Sequence, residues 1–299
     1  MLYQQIAQNK RKTAGVLVVF VLIFALVGAG LGQLMWDKPL PGVLTAGVIA
    51  LIYSFLVFQD PVNVVMSMNH AQHLNKEDNP QLFHIVEDMA LVANIPMPEV
   101  YLIPDKSPNA FATGLSPDKS AIAVTQGLLD MMNREELEGV LGHEISHIRN
   151  YDIRLSMVAL VLVSAISFIA DFAQNWVWFG FGIDRDDDDD REGGTIGMII
   201  GVIGVIFVLI LGPLAASPDQ VALPRNREYL ADASSVELTR NPHGLISALT
   251  KIENSPPMQA ASSASASLYI EDPIRRHSLS HLFDTHPATA DRIKRLEKM

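Results

Sequence analysis

Four stretches of this chain are long, apolar and almost free of charge, and each covers the roughly 20 residues a helix needs to cross a bilayer. They are Thr13–Trp36, Pro39–Gln59, Leu155–Ile183 and Gly193–Pro218. Core helices of soluble proteins rarely run so far without a charge, so about four transmembrane helices are expected. The third stretch holds a single charge, Asp171. Counted from Leu155, it falls about 24 Å along the helix axis, near the far headgroup boundary. Trp176, Trp178 and Phe179 follow it, as in an aromatic interface belt. A re-entrant or surface-lying hairpin made by the last two stretches is the open alternative.

Lysine and arginine set the orientation. Lys10, Arg11 and Lys12 precede the first stretch and should stay in the cytoplasm. With four crossings, Arg134, Arg149, Arg154, Arg225 and Arg227 fall on that same side. The acidic loop of Asp184, Arg185 and Asp186–Asp190 would face outside. Its simplest role is a solvated spacer between two apolar segments; a weak divalent-cation site is the alternative. Much of the net charge of −11 comes from this loop, so the acidic balance points to no particular partner. No nucleic-acid partner is expected. The first stretch is too long for a typical signal core and a second follows at once, which favours an uncleaved anchor. The chain has no cysteine, which excludes disulfides, thiolate ligands and a cysteine nucleophile. A metal site must use histidine and carboxylate.

Two polar segments remain, roughly 60–154 and 219–299. In the first, Leu82, Ile85, Val86, Met89 and Val92 recur at helical spacing within Pro80–Asn94, and Pro96 and Pro98 end that helix. Glu99–Ile103, Ala110–Leu115 and Ala121–Thr125 read as short strands, the last two joined by a Ser116-Pro117-Asp118-Lys119 turn. In the second, a helix is expected from Pro224 to Thr239, and another over His243–Ile252. Ser255–Ser267 is rich in Pro, Ala and Ser and reads as a flexible loop. His286-Pro287 opens a last amphipathic helix with Ile293 and Leu296 on one side.

Residues 143–147 read His-Glu-Ile-Ser-His. On a helix, His143 and His147 stand one above the other and can bind one zinc ion. Glu144 points aside, where it can hold and deprotonate a water activated by that ion. The helix is well specified. Asn133 is a good N-cap with Glu136 three residues on, no proline interrupts Arg134–Arg149, and Leu137, Val140, Leu141, Ile145 and Ile148 supply one apolar face. A chance match on an ordinary helix is the bland alternative. A catalytic zinc needs a third protein ligand, and no second cluster lies nearby. Glu228 is the best distant carboxylate, with Asp232 four residues later on the same face to accept a ligand histidine's second N–H. Local pairing of Arg225 with Glu228 competes with that reading.

Three segments together resemble the HtpX membrane zinc metallopeptidases, relatives of the CAAX prenyl endopeptidases. They are Asn109-Ala110-Phe111-Ala112, Leu141-Gly142-His143-Glu144-Ile145-Ser146-His147 and Arg227-Glu228-Tyr229-Leu230-Ala231-Asp232. The resemblance covers nearly the whole chain. It implies His143, His147 and Glu228 as ligands of one zinc per chain, Glu144 as general base, Asn109 near the substrate and Asp232 supporting a ligand. Asp284-Thr285-His286-Pro287, with Arg292 beyond, resembles the family's C-terminal element. His286 is therefore a candidate to stabilise the oxyanion, against a local hydrogen bond at a helix start. For Arg292, simple pairing with a carboxylate is the alternative, and Asn150 and Asp152 read as closing the zinc helix.

The expected architecture is mainly α with a small β-sheet. A zincin-like metallopeptidase domain combines with about four transmembrane helices. Residues 1–59 form two membrane helices, 60–154 the first part of the cytoplasmic domain, 155–218 the third and fourth apolar segments, and 219–299 the second part. Only residues 148–154 separate His147 from Leu155, so the site should lie at the cytoplasmic face of the cell membrane. The expected activity is zinc-dependent endopeptidase cleavage of cytoplasmic regions of membrane proteins; the quality-control role is what the resemblance implies. Polypeptides and the lipid bilayer are the expected partners. A prenyl-protein endopeptidase is the enzymatic alternative, and a non-catalytic membrane adaptor the other.

Overall fold

The computed structural model describes residues 37–158, 225–258, 265–273 and 287–299, with residue 160 and part of the stretch 18–33. The described residues fall into two compact units. One holds Asp60–Val158 with the described part of Val221–Met299, and the other lies within Arg11–Gln59 and Ala159–Gln220. Half of Thr13–Trp36, most of Leu155–Ile183 and all of Gly193–Pro218 lie outside the described residues. In the second unit, helix α1 (Pro39–Gln59) is 21 residues long and uncharged, and Leu44, Leu51 and Phe55 are exposed along it. Several of its side chains near the C-terminal end lie outside the described set. Among the described residues no helix is long and apolar enough to cross a membrane.

The first unit is mainly helical with one small mixed sheet. It begins with α2 (Pro61–Met68), β1 (Gln72–His73) and α3 (Pro80–Ala93). Then come β2 (Glu99–Ile103), β3 (Ala110–Ser116), β4 (Lys119–Thr125), α4 (Gln126–Met131) and α5 (Arg134–Arg149). Residues 152–158 are again helical. Next are α6 (Arg225–Thr239), α7 (Pro242–Glu253), a 3₁₀ turn at Ala266–Leu268 and α8 (Thr289–Leu296). The strand order is β1-β2-β4-β3, with β2 parallel to β4 and both outer strands antiparallel to their neighbours. This puts β3 at an edge of the sheet. The β3–β4 hairpin carries a register shift between Gly114 and Ser116. Gly114 has φ 135°, which side-chain-bearing residues rarely adopt.

α5 is the hub, packed against α3, α6, α7 and β3. Its expected apolar face, Leu137, Val140, Leu141, Ile145 and Ile148, is buried throughout. Small residues let its neighbours close in. A Cβ on Gly139 would lie 2.6 Å from the backbone nitrogen of Leu245 in α7, and one on Gly142 would lie 2.9 Å from Ser235 Oγ in α6. Ser235 uses that proximity to donate to Gly139 O at 2.7 Å. α6 is thereby seated along α5, the packing that brings Glu228 to the histidines.

The start of α5 is a full capping box. Asn133 Oδ1 accepts from Glu136 N at 3.0 Å, and Glu136 Oε2 accepts from Asn133 N at 2.8 Å. Glu136 also accepts from Lys251 Nζ at 2.7 Å and Ser247 Oγ at 2.6 Å, tying α7 to α5. Burial pushes its pKa up, but these hydrogen bonds outweigh burial and leave it below the ordinary glutamate value. A depressed carboxylate pKa gives stability that is present above the ordinary value and lost as pH falls through the folded one. Glu136→Gln should therefore lower the thermal midpoint by a few degrees at neutral pH. The gap from the wild type should close as the pH drops below the glutamate range, and a gap independent of pH would refute the assignment.

Elsewhere the boundaries move slightly. α7 starts at Pro242, one residue before expectation, because Asn241 caps it and proline suits the first helical position. α8 starts at Thr289 rather than at His286-Pro287, since Ala288 is extended (ψ 132°). The expected flexible loop Ser255–Ser267 is anchored where it is described. Ser107 Oγ donates to Pro257 O at 2.9 Å, and buried Ser265 donates to Asn69 Oδ1 at 2.7 Å.

Candidate metal centre

α5 and α6 carry the site. His143 and His147, one turn apart, have ring centroids 4.7 Å apart and Nε2 atoms 3.1 Å apart. Glu228, near the start of α6, brings Oε2 within 3.6 Å of His143 Nε2 and Oε1 within 3.5 Å of His147 Nε2. All three side chains are buried. A tetrahedral zinc bonded to nitrogen and oxygen at about 2.0–2.1 Å holds its donors roughly 3.3–3.4 Å apart. The observed triangle has that size.

The remaining ring nitrogens are also placed. His143 Nδ1 lies 3.0 Å from Asp232 Oδ1, and His147 Nδ1 lies 3.1 Å from Asp152 Oδ2. An ionised carboxylate only accepts, so each Nδ1 carries the hydrogen and each Nε2 keeps its lone pair for a metal. Each carboxylate is held in turn by an arginine. Arg292, fully buried, donates Nε to Asp232 Oδ2 at 3.0 Å and Nη2 to Asp232 Oδ1 at 2.7 Å. Arg227 donates Nη1 to Asp152 Oδ1 at 3.2 Å.

The electrostatics favour a cation. Four buried carboxylates, Glu144, Asp152, Glu228 and Asp232, face two guanidiniums, Arg227 and Arg292. The two negative charges left over match one divalent ion. Burial opposes a charge on His143, yet its hydrogen bonds to Asp232 and Glu228 raise its pKa to about 9. His147 shifts the same way, burial being outweighed by the charge of Glu228 and the hydrogen bond to Asp152. Two imidazolium rings facing at 3.1 Å repel strongly, so protons serve this pocket poorly where one divalent ion would satisfy both rings. Burial pushes Asp232 up, but the adjacent Arg292 wins and holds it at about 2. Burial alone pushes Arg227 down, against the pull of Asp152.

The cleft over the donors is lined by Ala112, His143, Glu144, His147, Glu228 and the 267–270 segment. That segment lies along β3. Ile270 N donates to Ala110 O at 2.9 Å, and Tyr269 bridges antiparallel to Phe111. Tyr269 OH is tied to Asn69 Oδ1 at 2.9 Å, and Ile270 O accepts from Arg292 Nη1 at 3.0 Å. Beyond Phe111, no strand among the described residues pairs with this side of β3. Asn109 is buried just before β3. It donates Nδ2 to Glu271 O at 2.9 Å and accepts from Ala110 N at 3.0 Å. It fastens the segment that walls the cleft and is not among the cleft-lining side chains. His286 and the side chain of Arg225 lie outside the described residues.

Residues 76–299 match the model of peptidase family M48. The chain belongs to that family. Its similarity to known proteases runs its full length. It is 64% identical over 299 residues to the Protease HtpX homolog of Lactobacillus helveticus (strain DPC 4571), and 63% identical to that of Lactobacillus acidophilus. Identity to the Streptococcus uberis homolog is 52% over 300 residues, and each alignment covers 100% of both chains. The resemblance to HtpX peptidases drawn from three motifs thus extends from end to end. The fold is shared with S. mikatae Ste24p in its crystal structure, with a TM-score of 0.51 and 19% identity over 99% of this chain and 66% of that one. As an M48 peptidase the chain is a metalloprotease, which sets aside a non-catalytic adaptor. The family implies a metal, and His143, His147 and Glu228 can hold one.

Asp152 and Arg227 were not legible as part of the site. Asp152 follows His147 by five residues, off any helical face. It reaches the ring because α5 ends at Asn150 and Tyr151 turns the chain with φ 59°, a conformation uncommon for a residue with a side chain.

Proposed function

We propose that this chain is a membrane-bound, zinc-dependent endopeptidase that cuts cytoplasmic regions of membrane proteins, in protein quality control. The buried His143–His147–Glu228 triangle, opening onto a cleft shared with Glu144, carries the reading. Zinc is the ion of choice because imidazole and carboxylate donors at this spacing suit its tetrahedral geometry. When bound, it would polarise the scissile carbonyl and bring a water's pKa toward about 7. Glu144 takes the proton of the attacking water and delivers it to the leaving amine. Asp232 holds the His143 ring. The substrate lies extended along β3, adding to its edge through backbone hydrogen bonds. The Ile270 and Tyr269 pairing limits that edge to Ala112–Leu115, rather than all of Ala110–Leu115. Asn109 acts by holding the neighbouring wall, and His286 is a candidate oxyanion donor. The uncharged stretches carry the membrane assignment, and the basic residues before the first one set the cytoplasmic orientation.

Reconstitution in vesicles tests this. With zinc, the chain should cleave an unfolded membrane protein within loops on the side bearing Lys10–Lys12, and a chelator should stop it. Cleavage confined to the C-terminus of a farnesylated peptide would replace this reading with a prenyl-protein endopeptidase.

A further inference from the structure

We infer that Asp152 and Arg227 are a positioning pair for His147, which couples metal capture to the docking of α6 against the end of α5. The inference rests on the reading that His143, His147 and Glu228 hold the ion. The two oxygens of Asp152 serve different partners: Oδ2 faces His147 Nδ1 at 3.1 Å, and Oδ1 accepts from Arg227 Nη1 at 3.2 Å. Both groups are largely out of solvent, with side-chain exposures of 3% and 12%. A carboxylate so buried keeps its direction only if something holds it, and Arg227 holds it through Oδ1. Arg227 also stands next to Glu228 in the chain. The ion pair therefore joins the residue that orients one ligand to the backbone that presents another. It fastens together two parts of the site that are 75 residues apart in sequence.

His143 has an equivalent support built from different elements. There the carboxylate is Asp232 of α6 and the arginine is Arg292 of α8, with a bidentate grip. Asp152 accepts from Arg227 at 3.2 Å and arrives through the Tyr151 turn, so the His147 support joins the end of α5 to α6, whereas the His143 support joins α6 to α8. Losing either partner leaves the His147 ring free to rotate and lets the start of α6 drift from α5.

The full-length protein should be compared with Asp152→Ala, Asp152→Asn, Arg227→Ala, Arg227→Lys and the Asp152→Ala/Arg227→Ala double variant. Zinc affinity is read by competition with a chromophoric chelator, and the thermal midpoint is read separately in excess chelator. Asp152→Ala should weaken zinc binding by about 10- to 100-fold, with Asp152→Asn and Arg227→Lys falling between it and the wild type. The double variant should be little worse than Asp152→Ala, because the two act as one unit. Midpoints in chelator should stay near that of the wild type for Asp152→Asn and Arg227→Lys, and fall for Arg227→Ala, which leaves the buried carboxylate without its guanidinium. Zinc affinities indistinguishable from a wild type that binds one zinc would overturn the pair's role. So would losses of affinity that merely track a lowered midpoint in chelator. A wild type that binds no zinc would instead overturn the metal-site reading beneath it. If Asp152→Ala does not fold, the Asp152→Asn and Arg227→Lys variants carry the same comparison.

Discussion

Glu144→Gln is expected to keep one zinc per chain and to lose peptide hydrolysis by about 10²- to 10⁴-fold. The two halves of that result have separate causes. Glu144 lines the cleft beside both histidines and Glu228 and is almost fully buried, but it is not one of the three grouped donors. Glutamine has the same shape, so the packing around α5 and the donor triangle should survive. What glutamine lacks is a site that takes up a proton at neutral pH. A general base contributes by removing the water's proton as the carbon–oxygen bond forms, and that contribution disappears while binding remains. Elemental analysis and a turnover assay on an unfolded membrane protein, run on the same preparation, check both halves. Normal turnover would remove Glu144 from the mechanism. Loss of zinc along with activity would place it among the ligands.

The parts legible in the sequence share one property: each is written within a few residues. The α5 apolar face, its capping box and its paired histidines all follow from helical spacing over 133–148. β2 could be read to the residue, because a short apolar run lies between proline-containing turns. Glu228 was legible only in outline, since spacing named a carboxylate on a helix while its distance from the histidines depends on Gly142 admitting α6. The support around the site was least visible. Asp152 needs the Tyr151 turn, and Arg227 needs a partner 75 residues away. Residues 265–267, the end of the expected loop Ser255–Ser267, belong to a wall whose order comes from backbone bonds to β3 and from the Asn69 side chain. Neither leaves a periodic pattern in a stretch of alanine and serine.

Removing the third donor should silence the protease by a different route. Glu228→Ala is expected to lose zinc affinity by more than the roughly 10- to 100-fold typical of losing an orienting partner, and to lose hydrolysis with it. The carboxylate is fully buried and lies within 3.6 Å of both Nε2 atoms. Its removal takes away a ligand atom and also one of the two negative charges that the ion balances. Two imidazoles remain, both neutral donors, and 3.1 Å apart they define an edge rather than a face of the tetrahedron. Glu228→Gln separates the two effects. It keeps an oxygen in place but not the charge, so its zinc affinity should lie between those of alanine and the wild type. Glu144→Gln and Glu228→Ala are then both inactive but differ in metal content, the first loaded and the second empty at micromolar zinc. Full zinc occupancy in purified Glu228→Ala would show that another residue closes the site, and the donor triangle would have to be redrawn.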